Sequence, residues 1–330
     1  MSYIAVIGSG SWGTTLASLL SKKGFDVILW ARKKEVAESI NLHKENTFYL
    51  QGIPLHENLF CTNNIFEAVK KARFIVSVVP TQFIRNVFSP LKDTINGDTI
   101  IVSASKGIEK KSLKTPSQFL SEIFNRNIYV LSGPTFAIEV AQEKPTAVTI
   151  SGHDREERLL LQEIFSTSYF RVYEHDDPIG SEIGGAVKNI IAIASGICDA
   201  LNLGNNARAA LITRGLQEII RLGKRLGAKE ITFSGLSGLG DLFLTCTSNL
   251  SRNYTVGFRL GRGETVEEIS KSMRSVAEGI ETSLSVMQLS LKLNIEMPIT
   301  EQVYRVIYEH KNPQEAAKDL MNRTLKPEFY

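Results

Sequence analysis

The chain has 330 residues, 43% of them hydrophobic and 22% charged, with a formal net charge of +3 at neutral pH. This is the profile of an ordinary globular protein long enough for two domains, and the charge excess is too small to argue for a nucleic-acid or membrane-surface partner. Cys61, Cys198 and Cys246 lie far apart, without the spacing of a metal site or a disulfide framework, so no metal and a reducing, cytoplasmic setting are expected.

At the N-terminus SYIAVIG is too short for a secretory core and has no basic flank before it. No uninterrupted apolar run reaches the roughly 18 residues of a membrane helix, so no membrane anchor is expected. YIAVIG, from Tyr3, reads as a buried strand closed by glycine, and TTLASLLSKKG follows with helical spacing. Between them Gly8, Gly10 and Gly13 form GxGxxG. In the order strand, turn, helix, the first glycine permits the turn and the second lets backbone approach a pyrophosphate. The third lets the helix pack on the strand, and the helix N-terminus offers N–H groups to the phosphates. The bland alternative is a glycine-rich turn with no ligand.

FDVILWA is the second strand. In the NAD form of this motif an acidic residue near its end binds the ribose hydroxyls. Here Arg32, Lys33 and Lys34 come first, and Glu35 is the first acid. A guanidinium at this point suits a 2′-phosphate, so NADP recognition led by Arg32 is expected, against a merely solvated basic helix start. KKEVAESINLHK is the second helix and RFIVSVVP the third strand, ending at Pro80. TQFIRNVFSPL is a short helix, DTIIVSAS a strand, and TPSQFLSEIFN a helix with a Thr-Pro-Ser start. IYVLSGP and TAVTISG are two more strands. Strands alternating with helices imply parallel pairing in a Rossmann-type, doubly wound α/β sheet.

From about Asp177 onward only helical patterns appear: SEIGGAVKNIIAIASGICDAL, ARAALITRGLQEIIRLGKRLG, VEEISKSM, IETSLSVMQLSLKLN, TEQVYRVIYEH and PQEAAKDLM. The acidic turn HDDPIG at residues 175–180 marks the boundary. Residues 1–176 are therefore expected to be a nucleotide-binding domain and residues 177–330 an all-helical, substrate-binding domain.

Lys188 is the only charge in IGGAVKNIIAIASGIC. Three readings are open: an ammonium that snorkels to solvent, a structural ion pair, and a catalytic acid/base whose pKa burial lowers. Gly184 and Gly185 are expected to leave space for a ligand one turn earlier, and Asn189 adds a hydrogen-bonding group. Other polar residues break the apolar pattern. Lys106 in SASKG and the SGPTFA run, Ser132 to Ala137, follow strand ends, where open α/β sheets bind ligands. Asp241 lies in SGLGDL. Ser251, Arg252 and Asn253 make a plausible anion clamp, against an ordinary surface arginine. Glu278 stands at a helix start, where an acid needs no further explanation.

Together these motifs resemble the bacterial NAD(P)-dependent glycerol-3-phosphate dehydrogenases over nearly the whole chain. The resemblance is carried by GSGSWGTTLA, SASKGIE, LSGPTFAIEVA, EIGGAVKNIIAIASGI, GLSGLGDLFLTCTSNLSRNYTVG and VAEGIETS, in that order. It implies interconversion of dihydroxyacetone phosphate and sn-glycerol 3-phosphate, supplying glycerophospholipid synthesis, with NADP preferred and NAD also used. Lys188 would exchange the proton on the C2 oxygen. The matching substrate positions are Lys106, Gly133, Thr135, Lys188, Asp241, Ser251, Arg252 and Asn253. The matching cofactor positions are Ser11, Trp12, Arg32, Lys106, Ala137, Arg252, Val276 and Glu278, with Lys33 and Tyr49 beside them. The resemblance also implies a homodimer. Two other readings compete: a hydroxy-acid dehydrogenase of the 6-phosphogluconate or hydroxyisobutyrate type, and a non-catalytic NADP-binding sensor.

Overall fold

The computed structural model describes residues 3–273 and 277–328. Ten strands occupy its first half. They are β1 (Tyr3–Ile7), β2 (Val27–Trp30), β3 (Glu45–Asn46), β4 (Leu50–Pro54), β5 (Leu59–Thr62), β6 (Ala72–Ser77), β7 (Ile100–Ser103), β8 (Ile128–Ser132), β9 (Thr146–Ser151) and β10 (Phe170–His175). Eight of them form one sheet in the order β10-β9-β8-β7-β6-β1-β2-β5, and β3 with β4 makes a separate hairpin. Seven helices accompany them: α1 (Ser11–Lys22), α2 (Lys34–His43), α3 (Ile65–Val69), α4 (Thr81–Phe88), α5 (Pro116–Phe124), α6 (Ala137–Ala141) and α7 (Arg155–Phe165). The sheet is buried on both faces under two apolar clusters, one around Leu16, Leu29 and Val76, the other around Ile7, Phe88 and Phe119. Covered faces explain why its strands read as continuous apolar runs rather than alternating ones.

The chain leaves β1 toward β2 and β5 on one side and returns through β6 to β7 and β8 on the other. The sheet therefore reverses direction of growth at β1/β6, and loops after these strands diverge to leave a crevice. The pairing departs from the all-parallel expectation in one place: β8 and β9 are antiparallel. The connection carries only the five-residue α6, which stays at the carboxyl end of the sheet, where the Thr15 hydroxyl donates to the Ala137 carbonyl at 3.2 Å. The chain re-enters the sheet from the end it left, so β9 runs backwards. β3, β4, β5, β10, α3, α6 and α7 add to the elements expected from sequence in this half; they are short or heavily charged, and periodicity over so few residues is weak.

The second half is helical among the described residues: α8 (Pro178–Ala200), α9 (Gly204–Arg225), α10 (Asp241–Thr247), α11 (Arg252–Gly261), α12 (Val266–Ser272), α13 (Glu278–Leu293), α14 (Pro298–Tyr308) and α15 (Pro313–Met321). A single π-helical turn, Leu236–Gly240, precedes α10. α8 is the one described helix long and apolar enough to cross a membrane, and 89% of its apolar window is buried inside the fold. It is the central helix of this half. α9, α10, α11 and α13 all pack on it. Asp177 caps it by accepting from the Gly180 N–H at 2.8 Å, and Pro178 occupies its first turn, where a missing N–H costs nothing.

Candidate active site

The turn after β1 shows why its glycines are there. Gly8 has φ +119°, and a Cβ on it would lie 2.7 Å from the Val78 carbonyl oxygen. A Cβ on Gly13 would lie 1.8 Å from the Gly8 carbonyl, whereas one on Gly10 would meet nothing within 4 Å. Gly8 and Gly13 let the turn close, and Gly10 faces open space. Gly10 is the N-cap of α1 and offers no side-chain cap, so the first N–H groups of a 12-residue helix are left for a ligand. The residues present thus fit a dinucleotide pyrophosphate.

The other expected cofactor positions gather unevenly around this turn. The Ser11 hydroxyl donates to the Tyr49 carbonyl at 2.6 Å, and Trp12 lies 6.4 Å from the ring of Phe170. Arg32 follows β2 exposed, with no hydrogen bond or ion pair among the described residues. Lys33 is the N-cap of α2 and lies 3.8 Å from Glu35. Ala137 opens α6. Val276 lies outside the described residues.

Lys188 sits halfway along α8, 6% exposed, which excludes the snorkelling reading. Its ammonium donates to Asp241 Oδ1 at 2.5 Å and to the Thr245 hydroxyl at 2.7 Å. The other oxygen of Asp241 accepts from Lys106 Nζ at 2.7 Å, and Lys106 also donates to the Gly133 carbonyl at 3.0 Å. One fully buried carboxylate therefore holds two ammonium groups from opposite halves of the chain. Asp241 starts α10, so the helix N-terminus adds to the stabilisation of its charge. Burial is the largest influence on Lys188 and pushes it down to about 8; Asp241 opposes this and Lys106 reinforces it.

The glycines before Lys188 play a different part from the one expected. A Cβ on Gly184 would lie 2.3 Å from the Ser237 carbonyl, and one on Gly185 would meet Ser132 Oγ at 3.2 Å and Lys106 Cγ at 3.4 Å. The room is filled by protein: the π-helical turn that delivers Asp241, and the stem of Lys106. It is not space left for a ligand.

Ser251, Arg252 and Asn253 form the start of α11. Ser251 is its N-cap, accepting from the Tyr254 N–H at 3.2 Å. The amide of Asn253 donates to Asn189 Oδ1 at 2.9 Å and accepts from the Gly279 N–H at 2.9 Å. Asn189 follows Lys188 directly, so α11 and the start of α13 are tied to the lysine's own turn. Arg252 is exposed and carries no hydrogen bond or ion pair among the described residues, a guanidinium left available beside the cluster. Thr135 donates to the Gly133 carbonyl at 3.2 Å. Glu278 accepts from the Thr81 N–H, the first of α4, at 2.9 Å. Burial pushes Glu278 up to about 7, with the Thr81 hydrogen bond and the nearby Arg252, Lys106 and Lys188 pulling the other way.

Thr245, which no sequence motif singles out, completes this cluster. It stands four residues after Asp241 on one face of α10, and its hydroxyl donates to the Asp241 carbonyl at 2.6 Å while accepting from Lys188. The i, i+4 spacing was available in DLFLTCT, but α10 has only seven residues and its periodicity is lost among apolar neighbours.

A Rossmann-type turn, a topological switch point and a buried lysine–aspartate pair define the class: a nicotinamide-dependent oxidoreductase. Comparison with known proteins gives the family. Residues 3–158 match the NAD-dependent glycerol-3-phosphate dehydrogenase N-terminus, and residues 177–318 match the C-terminus of the same family. A glycerol-3-phosphate dehydrogenase [NAD(P)+] of Geobacter sp. (strain M21) is 50% identical over 329 residues, 98% of each chain. The crystal structure of glycerol-3-phosphate dehydrogenase from Coxiella burnetii superposes with a TM-score of 0.95 at 40% identity, covering 98% of this chain and 99% of that one. The corresponding structure from Saccharomyces cerevisiae gives 0.85 at 30% identity, covering 98% and 99%. The chain belongs to the NAD-dependent glycerol-3-phosphate dehydrogenase family, and it is an NAD(P)-dependent enzyme of that family.

Proposed function

We propose that the protein interconverts dihydroxyacetone phosphate and sn-glycerol 3-phosphate, with Lys188 as the acid/base. The observation that carries this reading is the ammonium of Lys188, buried yet fixed between Asp241 Oδ1 and Thr245 Oγ1. The nicotinamide, when bound, gives or takes the hydride at C2. The chain does the rest. In reduction Lys188 donates a proton to the C2 oxygen as that oxygen gains charge; in oxidation it takes the proton back. Asp241 keeps the ammonium aimed and, by also pairing Lys106, places a second cation near the same oxygen. Lys106, Gly133, Thr135 and Asn253 line the substrate, and Arg252 with Ser251 at the start of α11 holds its phosphate.

On the cofactor side the Gly8–Gly13 turn, Ser11, Trp12, Tyr49, Ala137, Val276 and Glu278 receive the dinucleotide. Arg32, with Lys33, favours the 2′-phosphate of NADP over NAD. Residues 1–176 act as the cofactor domain and 177–330 as the substrate domain. The enzyme works as a cytoplasmic homodimer and supplies the glycerol phosphate of phospholipid synthesis. The test is oxidation of NADPH by dihydroxyacetone phosphate, run beside NADH. Turnover that requires the phosphate ester supports the substrate. A protein that binds NADPH but turns over only carboxylated hydroxy acids refutes it, and one that turns over nothing is the sensor.

A further inference from the structure

The buried side chain of Asn46 has no part in the reading above. It lies on β3, is 0% exposed, and spends its whole amide on hydrogen bonds. Nδ2 donates to the Ser9 carbonyl at 2.9 Å and to the Thr14 hydroxyl at 2.8 Å. Oδ1 accepts from the N–H groups of Phe48 at 3.3 Å and Tyr49 at 3.1 Å. The orientation of the amide is forced, because the Ser9 oxygen only accepts and the two N–H groups only donate. Thr14 adds a second bond to the same carbonyl, at 3.2 Å.

The Ser9 carbonyl and the Gly10 N–H belong to one planar peptide. No peptide bond in the described chain is cis, so in this peptide the C=O and N–H point in opposite directions. Holding the oxygen from the interior therefore aims the Gly10 N–H outward, into the open space before α1. Without that hold the peptide has little reason to stay put. Gly10 has no Cβ and no neighbour within 4 Å of where one would be, so a flip of this peptide meets no steric barrier from the residue itself. We propose that Asn46 is a positioning residue for dinucleotide binding: it fixes the Ser9–Gly10 peptide plane so that the Gly10 N–H faces the pyrophosphate. Through Tyr49, whose carbonyl accepts the Ser11 hydroxyl at 2.6 Å, it also locks the β3–β4 hairpin to the same turn. The inference rests on the reading that this turn receives the cofactor's phosphates.

The test compares Asn46→Ala with Asn41→Ala. The Asn41 amide makes two similar bonds to the backbone of Cys61, at 2.7 and 2.9 Å, away from the turn. NADPH dissociation constants are read from cofactor fluorescence, together with steady-state kinetics and melting temperature. Asn46→Ala is expected to raise the Kd and KM for NADPH at least about tenfold. Its kcat at saturating NADPH and its KM for dihydroxyacetone phosphate should stay within about twofold of wild type. Asn41→Ala should lower the melting temperature but leave the NADPH Kd unchanged. Should Asn46→Ala fail to fold, Thr14→Val gives the reading, with a smaller rise in NADPH Kd expected from losing one of the two bonds to Ser9. An unchanged NADPH Kd in the folded variant, or equal losses in the Asn46 and Asn41 variants, overturns the inference. A wild-type protein that does not bind NADPH at all overturns the cofactor reading instead.

Discussion

Lys188 is perturbed in the direction its proposed task needs. Burial lowers it from 10.5 to about 8, so it is protonated below that pH and free to accept a proton above it. Turnover in the reducing direction should fall as pH rises through about 8, and turnover in the oxidising direction should rise over the same range. Removing the group altogether, in Lys188→Ala, should cost about 10²–10⁴-fold in turnover while NADPH binding persists. Near-wild-type turnover would end the acid/base assignment. Arg32 and Arg252 are both exposed and have no ion pair among the described residues, so each has its charge available for a phosphate. Arg32→Ala should weaken NADPH about tenfold and leave NADH nearly unaffected; equal effects on both cofactors would remove it from 2′-phosphate recognition. Arg252→Ala should raise the KM for dihydroxyacetone phosphate by about tenfold or more, and an unchanged KM would exclude a phosphate clamp.

At the scale of elements, the site depends on how closely α8 and α11 approach. A Cβ on Gly257 of α11 would lie 1.9 Å from the Ile193 carbonyl of α8, and one on Gly196 of α8 would lie 2.1 Å from the Tyr254 carbonyl. The two backbones are in contact, and this contact sets the distance from Lys188 to the Ser251–Asn253 turn. Gly257→Ala must push the helices apart. It should destabilise the protein by about 1–3 kcal/mol or more and raise the substrate KM together with it. Gly97→Ala, where a Cβ would meet nothing within 4 Å, is the control and should melt like wild type. If both variants melt alike, the close packing does not govern the site. A further tie reaches the site from the sheet: Thr149 of the antiparallel β9 lies 2.5 Å from Ser237 on the π-helical turn that presents Asp241.

For the whole molecule, buried carboxylates tie distant elements together. Glu182 of α8 accepts from the Ser117 N–H at 2.8 Å and hydroxyl at 2.5 Å, capping α5 of the other half. Glu218 of α9 caps α14 through the N–H groups of Ile299 at 2.6 Å and Thr300 at 3.1 Å. Burial outweighs these hydrogen bonds and raises each from 4.5 to about 7. Between those values the folded state binds more protons than the unfolded chain. The contribution is therefore fully present below about pH 4.5 and is lost as pH rises through 7, on the order of 3 kcal/mol for each group. Glu182→Gln keeps an acceptor and a donor for Ser117 but cannot ionise. Its melting temperature should gain on wild type between about pH 5 and pH 8. Parallel pH profiles for the two proteins would show that Glu182 does not titrate in this range.

The amino-acid sequence by itself determined the local features. The glycine turn after β1, the strands buried on both faces, the helical second half and the lone charge of Lys188 all follow from spacing and side-chain chemistry within a few residues. The turn at 175–180 does fall where β10 ends and α8 begins. Arrangements joined across the chain were another matter. The sequence marked Lys106, Lys188 and Asp241 separately, and their motifs together carried the family resemblance. No periodicity says that one carboxylate holds both ammonium groups, that Gly184 and Gly185 admit protein rather than ligand, or that Asn46 reaches the carbonyl of Ser9. Side-chain period reports which face of an element is apolar, but it carries no information about which distant element lands on that face. That choice is made by packing and by the need to pair every buried polar group, so only the tertiary structure decided it.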